Sequence, residues 1–438
     1  MRCCSLLSII VGLASIGVAS AEADTCQAAA TKVWTPPGGT SAGLTNCIRN
    51  FVNVSKAGGD PYLLIDKALP GIERRNITTG FDHTLQVVPW KMTLSLSDMP
   101  IDWGHDEYTF NGVEWLVPQN YVAQADEVRA VFVHGGNGAD SALGPYYSGF
   151  TTRLANWTGL PVFAFDYVSD PVVPWPQNLR NVLSYVHFAL YNGPDGPNKG
   201  GGASRLVMVA DSEGTLVLTQ ALLALRDPTL RHILGLNDFF PADTSWIAGI
   251  VLSSAVLDIH CETPSFASNC YNYSDPHAYL PGKPGDPDTG NCTQVPTAAA
   301  KMDDCLWSYL EYFYGLPGLL SGAPRPSGRP ATAEFRKRKD FFSQTTLTPL
   351  LSNLTGFPPL LLISATRDYF YSDGPRLHER ACKAGVDVTS FNVLGAYHDF
   401  IEYSEGCGSH ALVAEAIEAY QRIRAFVQRI ALAVEDAA

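Results

Sequence analysis

The sequence predicts an α/β domain, with a mostly parallel central sheet covered by helices on both faces. Two observations predict it. From about residue 106 onward, short strand-like apolar runs alternate with longer segments of helical periodicity. Three polar residues, Ser212, Asp368 and His398, each follow one of those runs, at the carboxyl ends of strands where open α/β sheets place their sites.

The elements follow in chain order. The opening stretch MRCCSLLSIIVGLASIGVASAEA has one basic residue, an apolar core from Leu6 to Val18, and small residues that fit cleavage at Ala21 or Ala23. That pattern predicts a secretory signal over 1–23, and so a secreted protein, extracellular or in the secretory lumen. Residues 24–105 carry few periodic signals and several glycines and prolines, and are expected to form an N-terminal arm that packs on the later core as part of a cap. The first part of the core, 106–260, holds the strand-like runs EYTFNGVEWLV, VRAVFVHG, LPVFAFDY, RLVMVA and IAGIVLSS, with helical candidates PQNLRNVLSYVHFAL and GTLVLTQALLALR. Residues 261–356 interrupt the rhythm with four cysteines and Pro/Gly-rich stretches between two strands that should be neighbours, as expected of a lid over the site. A glycosylated surface excursion is the alternative. The last part, 357–438, resumes with PPLLLISA and DVTSFNVL and the helical GPRLHERACKAG and SHALVAEAIEAYQRIRAFVQRIALA.

Composition narrows the partners. Of ten cysteines, eight remain after signal removal, an even number that suits an oxidising compartment. They fall into N-terminal (Cys26, Cys47), middle (Cys261, Cys270, Cys292, Cys305) and C-terminal (Cys382, Cys407) groups, and local pairs are expected, Cys26 with Cys47 and Cys382 with Cys407. Six N-x-S/T sequons, at Asn53, Asn76, Asn156, Asn272, Asn291 and Asn353, fit a glycoprotein. The chain has no C-x-x-C pair and no H-E-x-x-H, so zinc is not expected. A net charge of −13 spread along the chain disfavours nucleic acid and anionic lipid. No apolar run after the signal reaches membrane length, and the tail RIALAVEDAA is too short and acidic for a lipid-anchor signal, so a soluble mature protein is expected. Oligomeric state leaves no mark in the sequence.

The stretch VADSEGT carries the chemistry. Ser212 follows the run Arg205 to Ala210 and precedes the helical run from Gly214, so its hydroxyl sits on a strand-to-helix turn with a helix N-terminus beside it. HGGN, residues 134–137, follows another strand about eighty residues upstream, and its glycines leave backbone N–H groups unobstructed. Alone it could be a plain Gly-Gly turn; Asp368 alone could be a turn aspartate, and His398 an ordinary hydrogen-bonded histidine. Asp373, in the same RDYFYSDG stretch as Asp368, precedes Gly374-Pro375 and suits a helix N-cap.

Taken together, HGGN, FDYVSDPVVPWPQNL, VADSEGT, IAGIVLSSAVLDI and PPLLLISATRDYFYSDGPRLHERACKAGVDVTSFNVLGAYHDF resemble, over roughly residues 105–425, the hormone-sensitive-lipase-like family of α/β-hydrolases, which includes bacterial esterases and arylacetamide deacetylase. The resemblance implies an α/β-hydrolase fold with Ser212 as nucleophile, Asp368 as triad acid and His398 as general base, in the chain order such enzymes use. It also implies an oxyanion hole from the backbone N–H groups of Gly135, Gly136 and Glu213. Four positions depart from the family pattern: Ala210 and Asn137 replace glycines, Glu213 replaces alanine, and Asp399 replaces the glycine after the histidine. The expected activity is cleavage of a small-molecule or lipid-like carboxylic ester through an acyl-enzyme, without cofactor or metal. Amide, thioester or lactone cleavage and acyl transfer remain open. A hydrolase-like binding or receptor protein with weakened catalysis is the chief rival, and a structural or carbohydrate-binding glycoprotein a third reading.

Overall fold

A computed structural model describes residues 25–39, 41–47, 68–76, 112–135 (without 125–126), 145–167, 175–195 (without 176), 201–269, 347–402 and 413–435, with a few isolated positions besides. The expected signal segment, Gly136 and Asn137, and all but the ends and a few positions of the expected cap insertion lie outside the described residues.

Among the described residues the core is one nine-stranded mixed sheet in the order β1-β9-β8-β7-β6-β4-β5-β3-β2. In chain order the strands are β1 (Val33–Trp34), β2 (Ile72–Asn76), β3 (Val113–Pro118), β4 (Val128–Val133), β5 (Val162–Phe165), β6 (Arg205–Asp211), β7 (Ile247–Ser253), β8 (Leu360–Ala365) and β9 (Val388–Val393). β1, β9, β8, β7, β6, β4 and β5 run parallel, while β3 and β2 complete one edge antiparallel. Each run expected to be a strand contains one.

Alternation along each strand feeds two hydrophobic layers. Val131 and Val133 of β4, with Leu206, Met208 and Ala210 of β6, face a layer completed by helix α2 (Gln177–Tyr191), α3 (Ser212–Arg226) and α4 (Asp373–Lys383). Ala130 and Phe132 of β4 and Val207 and Val209 of β6 face the opposite layer, under α1 (Pro145–Thr158) and α5 (Ala414–Glu435). Each fully buried Val, Leu or Phe contributes roughly 1.5–3 kcal/mol. Those two layers hold the strand ends rigid beneath the site. Helix α1 was not expected from the sequence, because PYYSGFTTRLANWT mixes aromatic and β-branched residues; Tyr147, Phe150 and Leu154 nevertheless share its buried face.

The described part of the N-terminal arm supplies the outermost strands. β1 pairs with β9, and the Asn392 side chain donates to the carbonyls of Ala30 (2.8 Å) and Lys32 (3.0 Å). The expected local disulfides are corrected here. Cys26 pairs with Cys382 across 356 residues, tying the arm to α4, whereas Cys261 pairs with Cys305 inside the middle group. Cys47 is also disulfide-bonded, and its partner lies outside the described residues, since Cys26, Cys261, Cys305 and Cys382 are paired among themselves. The physical reason is the β1–β9 pairing, which brings residues distant in sequence side by side at the sheet edge.

Candidate active site

Ser212 sits where β6 passes directly into α3, at φ +44°, a left-handed conformation that costs a non-glycine residue free energy and is held only where surroundings enforce it. Here close backbone packing enforces it. A Cβ on Gly214 would lie 2.3 Å from the Val133 carbonyl oxygen and 2.4 Å from that of His134, so the first turn of α3 can rest on the end of β4 only without a side chain. Ala210, by contrast, lies inside β6 between Val133 and Leu252, fully buried, and its methyl belongs to the hydrophobic layer.

The three expected triad residues come together. His398 Nε2 is 2.8 Å from Ser212 Oγ, and His398 Nδ1 is 2.7 Å from Asp368 Oδ2. Asp368 leaves the end of β8, and its other oxygen accepts from the Phe370 N–H at 3.0 Å, which sets the carboxylate's plane. Asn269 adds an amide N–H to the Asp368 carbonyl at 2.6 Å. Asp373 is not the N-cap the sequence suggested: it is the first residue of α4, fully buried, and its Oδ2 accepts from the N–H groups of Leu257 (2.7 Å) and Asp258 (2.9 Å). Burial, with the charge of Asp258, pushes its pKa up to about 7.

At Gly135, one of the expected oxyanion donors, the N–H donates to Asp211 Oδ1 (2.9 Å) and to the Tyr147 hydroxyl (3.1 Å). Asp211, buried just before Ser212, also accepts from the Tyr147 hydroxyl at 2.9 Å, and the carboxyl of Glu402 lies beside it. Gly136 lies outside the described residues. Glu213 is the second residue of α3, where a backbone N–H has no acceptor within the helix, which suits the role given to it. His134 orders the base of the loop: its Nδ1 meets the Gly135 carbonyl at 2.7 Å, and its own carbonyl accepts from Tyr167 at 2.7 Å. Burial lowers its pKa and keeps the ring neutral.

Sequence reasoning missed the carboxyl cluster behind the serine. Asp211, Asp399 and Glu402, all buried, bring one carboxylate oxygen each within 4.8 Å of one another, a grouping of a kind that can hold a cation. In this site both oxygens of Asp211 and the Oδ2 of Asp399 meet protein groups, and the crowding of carboxyl groups favours bound protons. Burial raises Asp211 to about 6, against its hydrogen bonds from Tyr147 and Gly135. Burial also pushes Asp399 well above the usual carboxylate range, reinforced by the charges of Asp211 and Asp368. For His398, burial opposes the imidazolium, but the carboxylates of Asp368, Asp399 and Asp211 outweigh it and hold the ring up to about 9. No sequence signal marked the cluster beyond Asp399 standing where the family has glycine.

The comparisons agree with this architecture. Residues 332–402 match the profile of a family described as alpha/beta hydrolase fold. A comparison with curated protein sequences finds no match. Among solved structures, an esterase from the bacterial hormone-sensitive lipase family is similar at 18% identity and TM-score 0.55, covering 89% of this chain and 98% of that one. A bacterial heroin esterase is similar at 16% identity and TM-score 0.54, covering 88% and 92%, and an esterase/lipase from an uncultured bacterium at 16% and 0.51, covering 93% and 98%. The fold of this chain is the α/β-hydrolase fold.

Proposed function

We propose that this α/β-hydrolase, similar to the hormone-sensitive-lipase-like esterases, is a serine hydrolase that cleaves carboxylic esters with Ser212, His398 and Asp368. The observation that carries the reading is the unbroken chain from Ser212 Oγ to His398 Nε2 (2.8 Å) and from Nδ1 to Asp368 (2.7 Å) on a strained strand-to-helix turn. His398 takes the serine proton as Oγ attacks the ester carbon, Asp368 steadies the imidazolium, and the returned proton leaves with the alcohol; water then repeats the cycle on the acyl-enzyme. Developing charge on the acyl oxygen falls to the N–H of Glu213 together with Gly136, with Gly135 excluded by its bond to Asp211.

The compartment we assign is the secretory lumen or the exterior. The long-range Cys26–Cys382 and the Cys261–Cys305 disulfides support it, as does the exposure of the sequon residues Asn156 and Asn353. Among the described residues no helix is long and apolar enough to cross a membrane.

A panel of p-nitrophenyl esters of increasing chain length, with fluorophosphonate labelling, tests the reading. Ser212→Ala is expected to remove labelling and to lower turnover on the order of a million-fold while secretion and fold survive. Retention of a tenth of the wild-type rate would overturn it. The rival reading, a hydrolase retired to binding, is favoured by one observation, the Asp399 carboxylate beside the general base, and it requires that the wild-type protein neither turn over esters nor label.

A further inference from the structure

His398 Nε2 faces two oxygens and not one. Ser212 Oγ lies at 2.8 Å and Asp399 Oδ2 at 3.2 Å, while Nδ1 is taken by Asp368 at 2.7 Å. The imidazole therefore stands between two carboxyl groups, one on each nitrogen. Asp399 is held there firmly. Its backbone is left-handed at φ +54°, its N–H donates to Ser254 Oγ at 2.8 Å, its side chain is buried, and among the described residues its Oδ1 has no hydrogen-bond partner. A residue that bears backbone strain, an unpartnered buried oxygen and a carboxyl against the general base is costly in three separate ways. Glycine, which the resembled family has at this position, would avoid all three.

We infer that Asp399 competes with Ser212 for His398 Nε2, holding a proton against the general base so that the site gains its base form at higher pH than it would without this carboxyl group. This rests on the proposed triad reading. The proton count is simple. One proton is shared by Nε2 and Oδ2; when it is on Nε2 the imidazolium has no lone pair to receive the serine proton, and when it is on Oδ2 the carboxyl donates into that same lone pair. Either arrangement blocks Ser212. Only loss of this proton to water frees Nε2, leaving Asp399 as a carboxylate. The charged groups facing the pair act to retain the proton: Asp368 from the turn after β8 and Asp211 from the end of β6, with the carboxyl of Glu402 from Asp399's own turn beside them; Tyr147 of α1 behind Asp211 and the Ser254 hydroxyl after β7 oppose them by hydrogen-bonding the carboxylates.

The test uses the full-length secreted protein with Asp399→Gly and Asp399→Asn. Asp399→Gly suits the left-handed backbone and removes the carboxyl; Asp399→Asn keeps the size and removes the charge. In kcat/KM against pH for a p-nitrophenyl ester, the midpoint of the rising limb is expected to fall by at least one pH unit in both. The rate well below the midpoint then rises at least tenfold, with the alkaline plateau unchanged within about threefold. A merely structural role for Asp399 would lower the plateau and leave the midpoint in place. In parallel, the low-field proton resonance of His398 Nδ1–H, bridged to Asp368, reports the ring's titration without any substrate, and its midpoint should fall by the same amount. Midpoints within 0.3 unit of wild type in both readouts would overturn the inference. If no ester is turned over and Ser212 does not label, the triad reading fails, and the resonance still decides whether Asp399 holds the proton.

Discussion

Two of the turns at the carboxyl edge of the sheet carry the serine and the histidine of this site, and they are held in different ways. The turn after β6 carries Ser212, and the turn after β9 carries His398 and Asp399; each has a non-glycine residue in the left-handed region, at φ +44° and +54°. The serine turn is set by backbone approaching backbone, with Gly214 against the carbonyls of Val133 and His134 and Gly135 against Ser212, where an added Cβ would lie 2.6 Å from the serine Cβ. Polar contacts set the histidine turn: Asp399 N–H to Ser254 Oγ (2.8 Å), Gly395 N–H to Thr366 Oγ1 (2.9 Å) and Arg367 N–H to the Ala396 carbonyl (3.0 Å). A departure from the family pattern therefore means different things in the two places. In the sterically set turn a substitution is either silent or ruinous, depending on the room for a Cβ. In the polar turn a substitution fits but changes which groups hold protons.

The sharpest way to break this comparison is within the histidine half of the site. Asp368→Asn keeps the shape but reverses the hydrogen bond that fixes the imidazole tautomer, and kcat is expected to fall on the order of 10⁴-fold. Asp373→Asn, five residues on, should change kcat less than about threefold, because Asp373 binds backbone N–H groups of the β7 turn and does not meet His398. Steady-state kinetics on both variants decides; equal losses would mean that the two carboxylates act as one unit.

Next in size is the steric half. Gly214→Ala places a methyl inside the distances that carbonyl oxygens can yield, and α3 cannot retreat without uncovering the buried side chains that follow. A loss of more than about 3 kcal/mol in unfolding free energy, or no secreted protein at all, is expected, since backbone overlap has no soft side chain to absorb it. Denaturant unfolding with a loss under 1 kcal/mol would show that the turn is looser than its contacts imply.

A pH series sharpens the polar half. Asp373 binds its proton more tightly folded than unfolded, its pKa raised from the ordinary carboxylate value to about 7. The native state then holds more protons than the unfolded chain between about pH 4 and pH 7, so stability is full below that window and falls as pH rises through it. Asp373→Asn removes the titration. Its unfolding free energy should exceed that of wild type by roughly 1–3 kcal/mol at pH 8 and match it within about 1 kcal/mol at pH 4. A larger advantage at pH 4 than at pH 8 would reverse the sign of the account.

Most of the sheet and the triad were legible because both leave local marks. Each interior strand of the sheet is a short apolar run, and Ser212, Asp368 and His398 each stand just past one. What the sequence could not show depends on approach between distant segments. β1 is two residues long, and only its pairing with β9 makes it a strand and brings Cys26 to Cys382. The amide of Gly135 is useful to an oxyanion only if nothing nearer claims it, and Asp211, 76 residues on, does. The carboxyl cluster joins Asp211 to Asp399 and Glu402, residues on two turns whose proximity is a property of the sheet order alone.

The smallest expected effect belongs to Ala210, one of the four departures from the resembled family's pattern. If the turn required glycine before the serine, Ala210→Gly should improve catalysis. Ala210 lies instead within β6, in register with Val133 and Leu252, and its methyl fills part of the layer under α2 and α3. The left-handed residue is Ser212 and the close approach is at Gly214, so neither constraint reaches position 210. Glycine there adds freedom to the unfolded chain and removes a buried methyl, and Ala210→Gly should cost about 1 kcal/mol of stability while changing kcat/KM less than threefold. A tenfold gain in kcat/KM would show that the methyl strains the serine, and would move position 210 from the silent class into the ruinous one.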